Sequence, residues 1–339
     1  NSNTMNSRVN RTMTEITMVE AIRDTLSYEM ERDERVMVLG EDVGKTGGVF
    51  RATDGLYEQF GNHRVVDMPL AEGPIIGASV GLAISGLLPV AEIQFMGFTH
   101  NAFNQIVAQL SRIRYRSWGS LSTQVTIRTP YGGGIRAPEM HSDSFVAHFA
   151  HCPGLKVVAP ANPADAKGLL LSSIRDPDPV MFLEPLRGYR LISGEVPEGE
   201  YEVPLGKARV AREGKDCTVV AWSAAVEVAK KAADLAEEKG ISVEVVDLRS
   251  LVPLDMPTLQ ESVLKTGRVV VLQEASFTGG FAAEVMSSLH EDEGIFYSLQ
   301  APMRRVCGLD TPYPVQMIEP DYLVTEERVL SAILSTVES

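Results

Sequence analysis

Three stretches of this sequence combine residue types that could do chemistry. Asp67-Met68-Pro69-Leu70-Ala71-Glu72 runs directly into Gly73-Pro74-Ile75-Ile76-Gly77-Ala78-Ser79-Val80-Gly81-Leu82-Ala83, which sets one carboxylate at the mouth of a helix of small and apolar residues. Burial disfavours the ionised form of a carboxyl, so an acid in such a place is suited to sharing a proton with a basic ligand atom. The plainer alternative is a first-turn Glu favoured by the helix dipole. In the second stretch, Gly132-Gly133-Gly134-Ile135-Arg136-Ala137-Pro138-Glu139-Met140-His141-Ser142-Asp143, a glycine-rich loop delivers a histidine that can exchange protons near neutral pH. On these residues alone His141 could equally cap a helix around Ser144 to Ala150, with His148 and His151 as ordinary polar or packing residues; none of the three has zinc-site spacing. The third stretch, Gly40-Glu41-Asp42-Val43-Gly44-Lys45-Thr46, follows a strand as a phosphate loop would, but its glycines are too close together and two carboxylates would occupy the cradle. Gly47-Gly48-Val49-Phe50 does not open a helix either, so ATP chemistry is disfavoured. No GxGxxG opens a helix, which argues against a self-contained dinucleotide site.

The elements that must position these residues read as α/β. Apolar, β-branched runs at Val36–Leu39, Val90–Ile93, Val125–Ile127, Lys156–Ala159 and Val180–Leu183 alternate with helical patterns over about 17–31, 72–86, 101–117 and 163–175, the signature of a doubly covered parallel sheet. From Glu184 to about Lys207 the pattern lapses into turn chemistry rich in Pro and Gly. Alternation restarts with strands at Thr218–Ala221, Val243–Val246 and Val269–Leu272 and helices over about 225–239, 280–290 and 325–337. The expected organisation is therefore a tail over 1–15, an α/β domain over 16–190, a linker over 191–206 and a second α/β domain over 207–339. Met5 and Met13 are candidate natural starts.

Composition narrows the class. The 339 residues are 44% hydrophobic and 22% charged, with a formal net charge of -14 that argues against nucleic-acid binding and suits a basic protein partner. Cys152, Cys217 and Cys307 lie far apart without metal-ligand spacing, as expected of small core residues in a reducing compartment. No apolar run reaches the roughly 18 to 20 residues that span a bilayer, and the polar first residues contain no signal-peptide core. The expectation is an intracellular protein without a membrane: cytoplasmic, or of the mitochondrial matrix in a eukaryote.

Gly40-Glu41-Asp42-Val43-Gly44 with Gly47-Gly48-Val49-Phe50-Arg51, Pro69-Leu70-Ala71-Glu72, Ala91-Glu92-Ile93-Gln94-Phe95 and His151-Cys152-Pro153-Gly154-Leu155-Lys156-Val157-Val158 together resemble the β subunits of thiamine-diphosphate-dependent 2-oxo acid dehydrogenases, over about residues 16–338. The Ala91–Phe95 stretch, Arg114-Tyr115-Arg116-Ser117 and Arg305 to Pro314 look most like the branched-chain (2-oxoisovalerate) branch, with pyruvate or acetoin as the alternative substrate.

The resemblance implies a transketolase-like pyrimidine-binding domain followed by a transketolase C-terminal-like domain. It also implies residue roles. Glu72 matches the glutamate that meets the aminopyrimidine nitrogen of thiamine diphosphate and activates the cofactor, which then acts as electron sink for loss of carbon dioxide before the acyl group passes to a lipoyl group. Leu70 matches a cofactor-lining position, Phe98 stands where branched-chain relatives carry a Tyr that stacks on the pyrimidine, and His141 matches a histidine of proton transfer. Gln94 is a candidate for hydrogen bonding near the ring, a structural strand-end role being the alternative. The segment Ser173 to Asp178 matches a potassium site, but Ser173 and Asp178 replace the family Cys and Asn, and a loop cap by Asp176 is the simpler account.

No Gly-Asp-Gly metal-diphosphate motif is present, so magnesium and the diphosphate are expected on an α subunit. The implied assembly is an α2β2 heterotetramer, with a second β subunit at one interface and the lipoyl acyltransferase core docking on the C-terminal domain. Gly77 and Gly81 are candidate subunit-contact positions. The rival readings are a catalytically idle assembly subunit and a one-chain transketolase-type enzyme, the latter disfavoured by the missing motif.

Overall fold

A computed structural model describes residues 12–339. The first half carries β1 (Met13–Thr17), β2 (Val36–Gly40), β3 (Val65–Asp67), β4 (Leu88–Glu92), β5 (Thr126–Tyr131), β6 (Lys156–Val158), β7 (Val180–Pro185) and β8 (Ser193–Pro197). The second half carries β9 (Arg209–Arg212), β10 (Cys217–Ala221), β11 (Val243–Asp247), β12 (Ser250–Val252), β13 (Val269–Ser276) and β14 (Arg304–Gly308).

Among the described residues these strands form a seven-stranded sheet ordered β12-β6-β7-β5-β4-β2-β3, a five-stranded sheet ordered β14-β13-β10-β11-β9, and the ribbon β1-β8. The strands pair in parallel within the two large sheets, except at the edges β12 and β9. The fold class is thus α/β with two parallel-containing sheets, as the alternating runs imply.

Alternation along the buried strands builds two cores. Val38, Val90 and Phe182 face the helices Met18–Arg32 and Pro163–Arg175, while their neighbours Leu39, Ala91 and Met181 face Ile75, Ile76 and Phe149. The second of these cores continues without a break into Trp222, Leu248, Val271 and Phe281 of the C-terminal half. Helix starts are set by local chemistry: Thr17 and Glu20 form a capping box, Asn162 caps the helix that opens with Pro163, and Thr325 caps the last helix.

The structure departs from the sequence expectations in four places. Residues 1–11 of the expected tail, with the candidate start Met5, lie outside the described residues, but Met13–Thr17 is β1 and pairs antiparallel with Ser193–Pro197, inside the segment expected as linker. The C-terminal half returns β12 to the first sheet, against β6, so the halves are stitched as well as packed. The helix expected over 101–117 is a succession of short 3₁₀, π and α turns from Met96 to Arg116. Side chains of Ser111 and Arg112 take the carbonyl of Val107, and Arg116 takes that of Ala108, competing with the backbone ladder. The helix Met256–Thr266, with a proline in its first turn, lies where the sequence patterns predict no element.

All three cysteines are free and buried; burial pushes the Cys217 thiol up to about 12 and the Cys307 thiol up to about 11, which keeps both unreactive. Asp247, at the end of β11, is fully buried, and burial with the nearby Asp165 carboxylate, opposed by Arg209 and Arg249, pushes its carboxyl up to about 7. Because the folded value is raised, the stability this group contributes is fully present below the unfolded value near pH 4 and is lost as pH rises through about 7. Asp247→Asn is expected to flatten that decline, and urea unfolding at pH 5 and pH 8 measures it.

Candidate functional site

Open parallel sheets bind ligands beyond the carboxyl ends of their strands, at the point where the strand order reverses. In the larger sheet the chain runs outward from β2 to β3 and then returns to β4 on the other side, so the reversal lies between β2 and β4. The residues singled out above leave these strand ends. Glu41 follows β2, Leu70 and Glu72 follow β3, Gln94 and Phe98 follow β4, and His141 lies in the loop after β5.

Glu72 is the first residue of the helix Glu72–Ile84 and is only 5% exposed. Ala71 before it offers no capping side chain, and Pro74 is tolerated because first-turn amides have no helical partner anyway. Glu72 therefore begins the helix without being its N-cap. Asn101 Nδ2 donates to Glu72 Oε2 at 3.2 Å. Glu41 stands close enough for the two carboxylates to interact: burial first, then Asp42 and Glu72, push the Glu41 carboxyl above the ordinary range. Leu70, two residues before Glu72, is 73% exposed, and Gln94 is half-buried just past β4.

The short 3₁₀ segment Met96–Ala102 is the common wall. Its Asn101 holds Glu72, and its Phe98 meets the His141 ring edge-on at 5.0 Å, with Phe95 at 4.4 Å from the same ring. His141 Nδ1 lies 2.8 Å from the Glu139 carbonyl. A carbonyl only accepts, so Nδ1 carries the proton, and in the neutral ring Nε2 is left as the basic nitrogen. Glu72, Phe98 and His141 thus belong to one assembly. His148 is largely exposed and stacked on Phe145 at 5.1 Å; partial desolvation under that ring, and then the neighbouring His100, lower its pKa.

Sequence reasoning missed Asn101, Phe95 and the place of Glu41. Asn101 carried a usable signal, three residues after Phe98 on a helical turn; Glu41 was visible as an acid that spoils a phosphate loop. The contact between the loop of His141 and the wall also depends on Gly97, where an added Cβ would overlap the Met140 carbonyl oxygen and approach Asp143 Oδ2 to 3.0 Å. Gly97→Ala is expected to displace His141 from Phe95 and Phe98 and to cost about 1–3 kcal/mol of stability through overpacking. Thermal unfolding together with the ring-shifted resonances of the histidine checks both effects.

The potassium candidate looks different in three dimensions. Ser173 Oγ donates to the Leu169 carbonyl at 2.6 Å, Asp176 holds Lys156 Nζ at 2.6 and 2.7 Å, and Asp178 pairs with Arg114. Asp176 also accepts from the Asp178 amide at 2.9 Å, the cap expected as the simpler account. With Lys156 and Arg114 already on these carboxylates, the side chains support ion pairing rather than a further cation.

Tested against thiamine diphosphate, the residues fit one half of the molecule. A buried carboxylate beside an aromatic wall suits a protonatable pyrimidine ring. The diphosphate half is not matched: Glu41 and Asp42 line the loop after β2, and among the described residues no group of three or more His, Cys, Asp or Glu is placed to hold a metal ion.

Residues 14–190 match the family model of the transketolase pyrimidine binding domain, and residues 206–329 that of the transketolase C-terminal domain. The chain is similar to the pyruvate dehydrogenase E1 component subunit beta of Staphylococcus epidermidis, 48% identical over 326 residues that cover 96% of this chain and 100% of that one. The protein of the same name from Bacillus subtilis is 49% identical with the same coverage. Among solved structures, an inactive β4 tetramer of a split-gene transketolase superimposes with a TM-score of 0.75 at 25% identity, covering 95% of this chain and 98% of that chain. A transketolase from Pichia stipitis shares the fold at a TM-score of 0.69 and 16% identity, over 96% of this chain but 46% of its own length.

Proposed function

Because the chain belongs to the family of 2-oxo acid dehydrogenase E1 β subunits, built from transketolase-type pyrimidine-binding and C-terminal domains, we propose that it is the β subunit of a pyruvate dehydrogenase. The observation that carries a catalytic rather than an idle role is Glu72, a buried carboxylate at the strand-order reversal with an aromatic and imidazole wall beside it. Full-length identity to subunits named for pyruvate favours that substrate over the branched-chain acids that short segments suggested.

In this reading thiamine diphosphate, when bound, supplies the electron sink for decarboxylation of the 2-oxo acid. The work of this chain is to hold one end of the cofactor and to move protons. Glu72 would hold a proton at the pyrimidine ring nitrogen, its carboxylate fixed by the Asn101 amide that donates to Oε2. Phe98 and Leu70 would line the binding face for the ring, and Gln94 would supply a hydrogen bond at its edge. His141 Nε2 exchanges a proton with substrate or with the lipoyl acceptor, its ring fixed by the Glu139 carbonyl.

The metal-diphosphate half then falls to an α subunit in an α2β2 assembly, with a second β subunit and the acyltransferase core as further partners. The exposed Leu70 and the outward side of the helix Glu72–Ile84 support a contact surface there. Gly77 makes ordinary contact with the Gln105 side chain and nothing in the chain lies within 4 Å of an added Gly81 Cβ, so intrachain packing does not require these glycines.

Co-expression with the α subunit and assay with an artificial electron acceptor tests the proposal. Pyruvate is expected to exceed 3-methyl-2-oxobutanoate in kcat/KM by about 10–200-fold, the range a pocket can draw from one or two methyl groups. The reverse preference would return the assignment to the branched-chain enzyme, and absence of thiamine-diphosphate-dependent turnover of either acid would reduce the chain to an assembly role.

A further inference from the structure

The glycine-rich stretch before His141 is held by the other half of the molecule. Glu319, only 2% exposed, accepts from the Gly134 amide at 2.7 Å through Oε1 and from the Arg136 amide at 2.8 Å through Oε2. Tyr313 donates to the same Oε1 at 3.1 Å, and Glu274, on β13, accepts from the Gly133 amide. Two carboxylates of the C-terminal domain thus clasp three backbone amides, those of Gly133, Gly134 and Arg136, in the loop of the N-terminal domain. The close approach explains Gly133: an added Cβ would overlap the Tyr313 hydroxyl and stand 2.8 Å from Glu319 Oε1.

The loop is closed at both ends. Gly132 N donates to the Asp143 carbonyl at 3.4 Å, His141 N donates to that of Pro138 at 3.2 Å, and the Met140 carbonyl rests against Gly97. A loop with few apolar anchors is held mainly by such bonds, and hydrogen bonds to a charged acceptor are the stronger kind. Freed from the clasp, the segment that carries His141 would keep its contacts with Phe95 and Phe98 only part of the time.

We propose that Glu319 is a positioning residue: from the C-terminal domain its carboxylate fixes the Gly134–Arg136 end of this loop and so sets the His141 ring against Phe95 and Phe98. Glu274 acts beside it on Gly133. The catalytic consequence rests on the role given to His141 above; the positioning itself does not. One end of the reaction's proton-transfer apparatus is therefore governed by a domain that contributes none of the other residues placed at the crevice.

Backbone amide exchange in the full α/β assembly, read by mass spectrometry for Glu319→Gln and Glu319→Ala, tests the positioning. Peptides covering 132–143 are expected to exchange about ten- to a hundredfold faster, while those of β10 and β13 keep their protection. Glu274→Gln is expected to loosen the same peptides. In turnover, Glu319→Gln should lower kcat with little change in KM, and combined with His141→Ala should be no slower than His141→Ala alone. Unchanged exchange over 132–143, or loosening spread through the C-terminal domain, would overturn the proposal. Local loosening with a His141→Ala enzyme that turns over normally would instead remove the catalytic role of His141 and leave the clasp standing.

Discussion

Glu72→Gln in the assembled enzyme is expected to reduce turnover by about a thousandfold, within the range that a positioned proton-transfer group contributes. The substitution is nearly isosteric, and the Gln carbonyl can still accept from Asn101 Nδ2, which reaches Oε2 at 3.2 Å in the native chain. Folding and subunit assembly should therefore survive, which makes the result readable. What disappears is the ability to hold a proton between the side chain and a ring nitrogen. Assay of decarboxylation with an artificial acceptor, beside a sedimentation check that the tetramer persists, gives the answer. Activity near that of the native protein would remove Glu72 from the mechanism, whereas loss of the tetramer would show that the residue is structural.

The second large effect concerns stability. Arg128 on β5 is wholly buried between two carboxylates: Nε and Nη2 donate to Glu184 at 2.7 and 3.0 Å, and Nη1 donates to Glu92 at 2.8 Å. Tyr189 donates its hydroxyl to Glu184 as well. Arg128→Met would fill similar space but leave two carboxyl groups buried without their cation, a loss of about 3–5 kcal/mol. Against a typical domain stability of about 5–15 kcal/mol that is a large fraction.

The loss should depend on pH with a definite sign. In the native chain burial already holds the Glu92 carboxyl above the ordinary range, opposed by Arg128, and without the guanidinium it rises further. A raised folded value means stability that is present at low pH and lost as pH rises through it. The Arg128→Met chain should therefore come closest to the native one near pH 5 and fall furthest behind near pH 8. Urea unfolding at both values checks this, and an equal deficit at the two would show that packing, not charge, is what Arg128 supplies. Glu92 ends β4 and Glu184 is the penultimate residue of β7, so the buried charges also hold the strand end from which Gln94 and Phe98 depart.

Much of this protein can be read along the chain. Short continuous runs of Val, Ile and Leu mark the central strands, which are buried on both faces, and Asn162-Pro163 opens a helix that runs over Pro163–Arg175, the range that the apolar spacing predicts. The acid at the start of an apolar helix, the histidine after the glycine run and the absence of a metal-diphosphate motif are likewise sequence features. These are local signals, in which the residues that decide an outcome lie within a turn or two of one another.

Only the tertiary structure decided which of them meet. Asn101 reaches Glu72 across 29 positions, and Glu319 reaches Gly134 across 185. The glycine run reads as a flexible loop in sequence, but in the fold its lack of side chains makes room for carboxylates brought from the other domain. Likewise β1, β8 and β12 are short and weakly patterned, and they become strands because an existing partner satisfies their amides and carbonyls. Hydrophobic periodicity reports burial, which one segment can announce by itself, whereas hydrogen bonds between distant segments require both partners to be in place and leave no periodic trace in either.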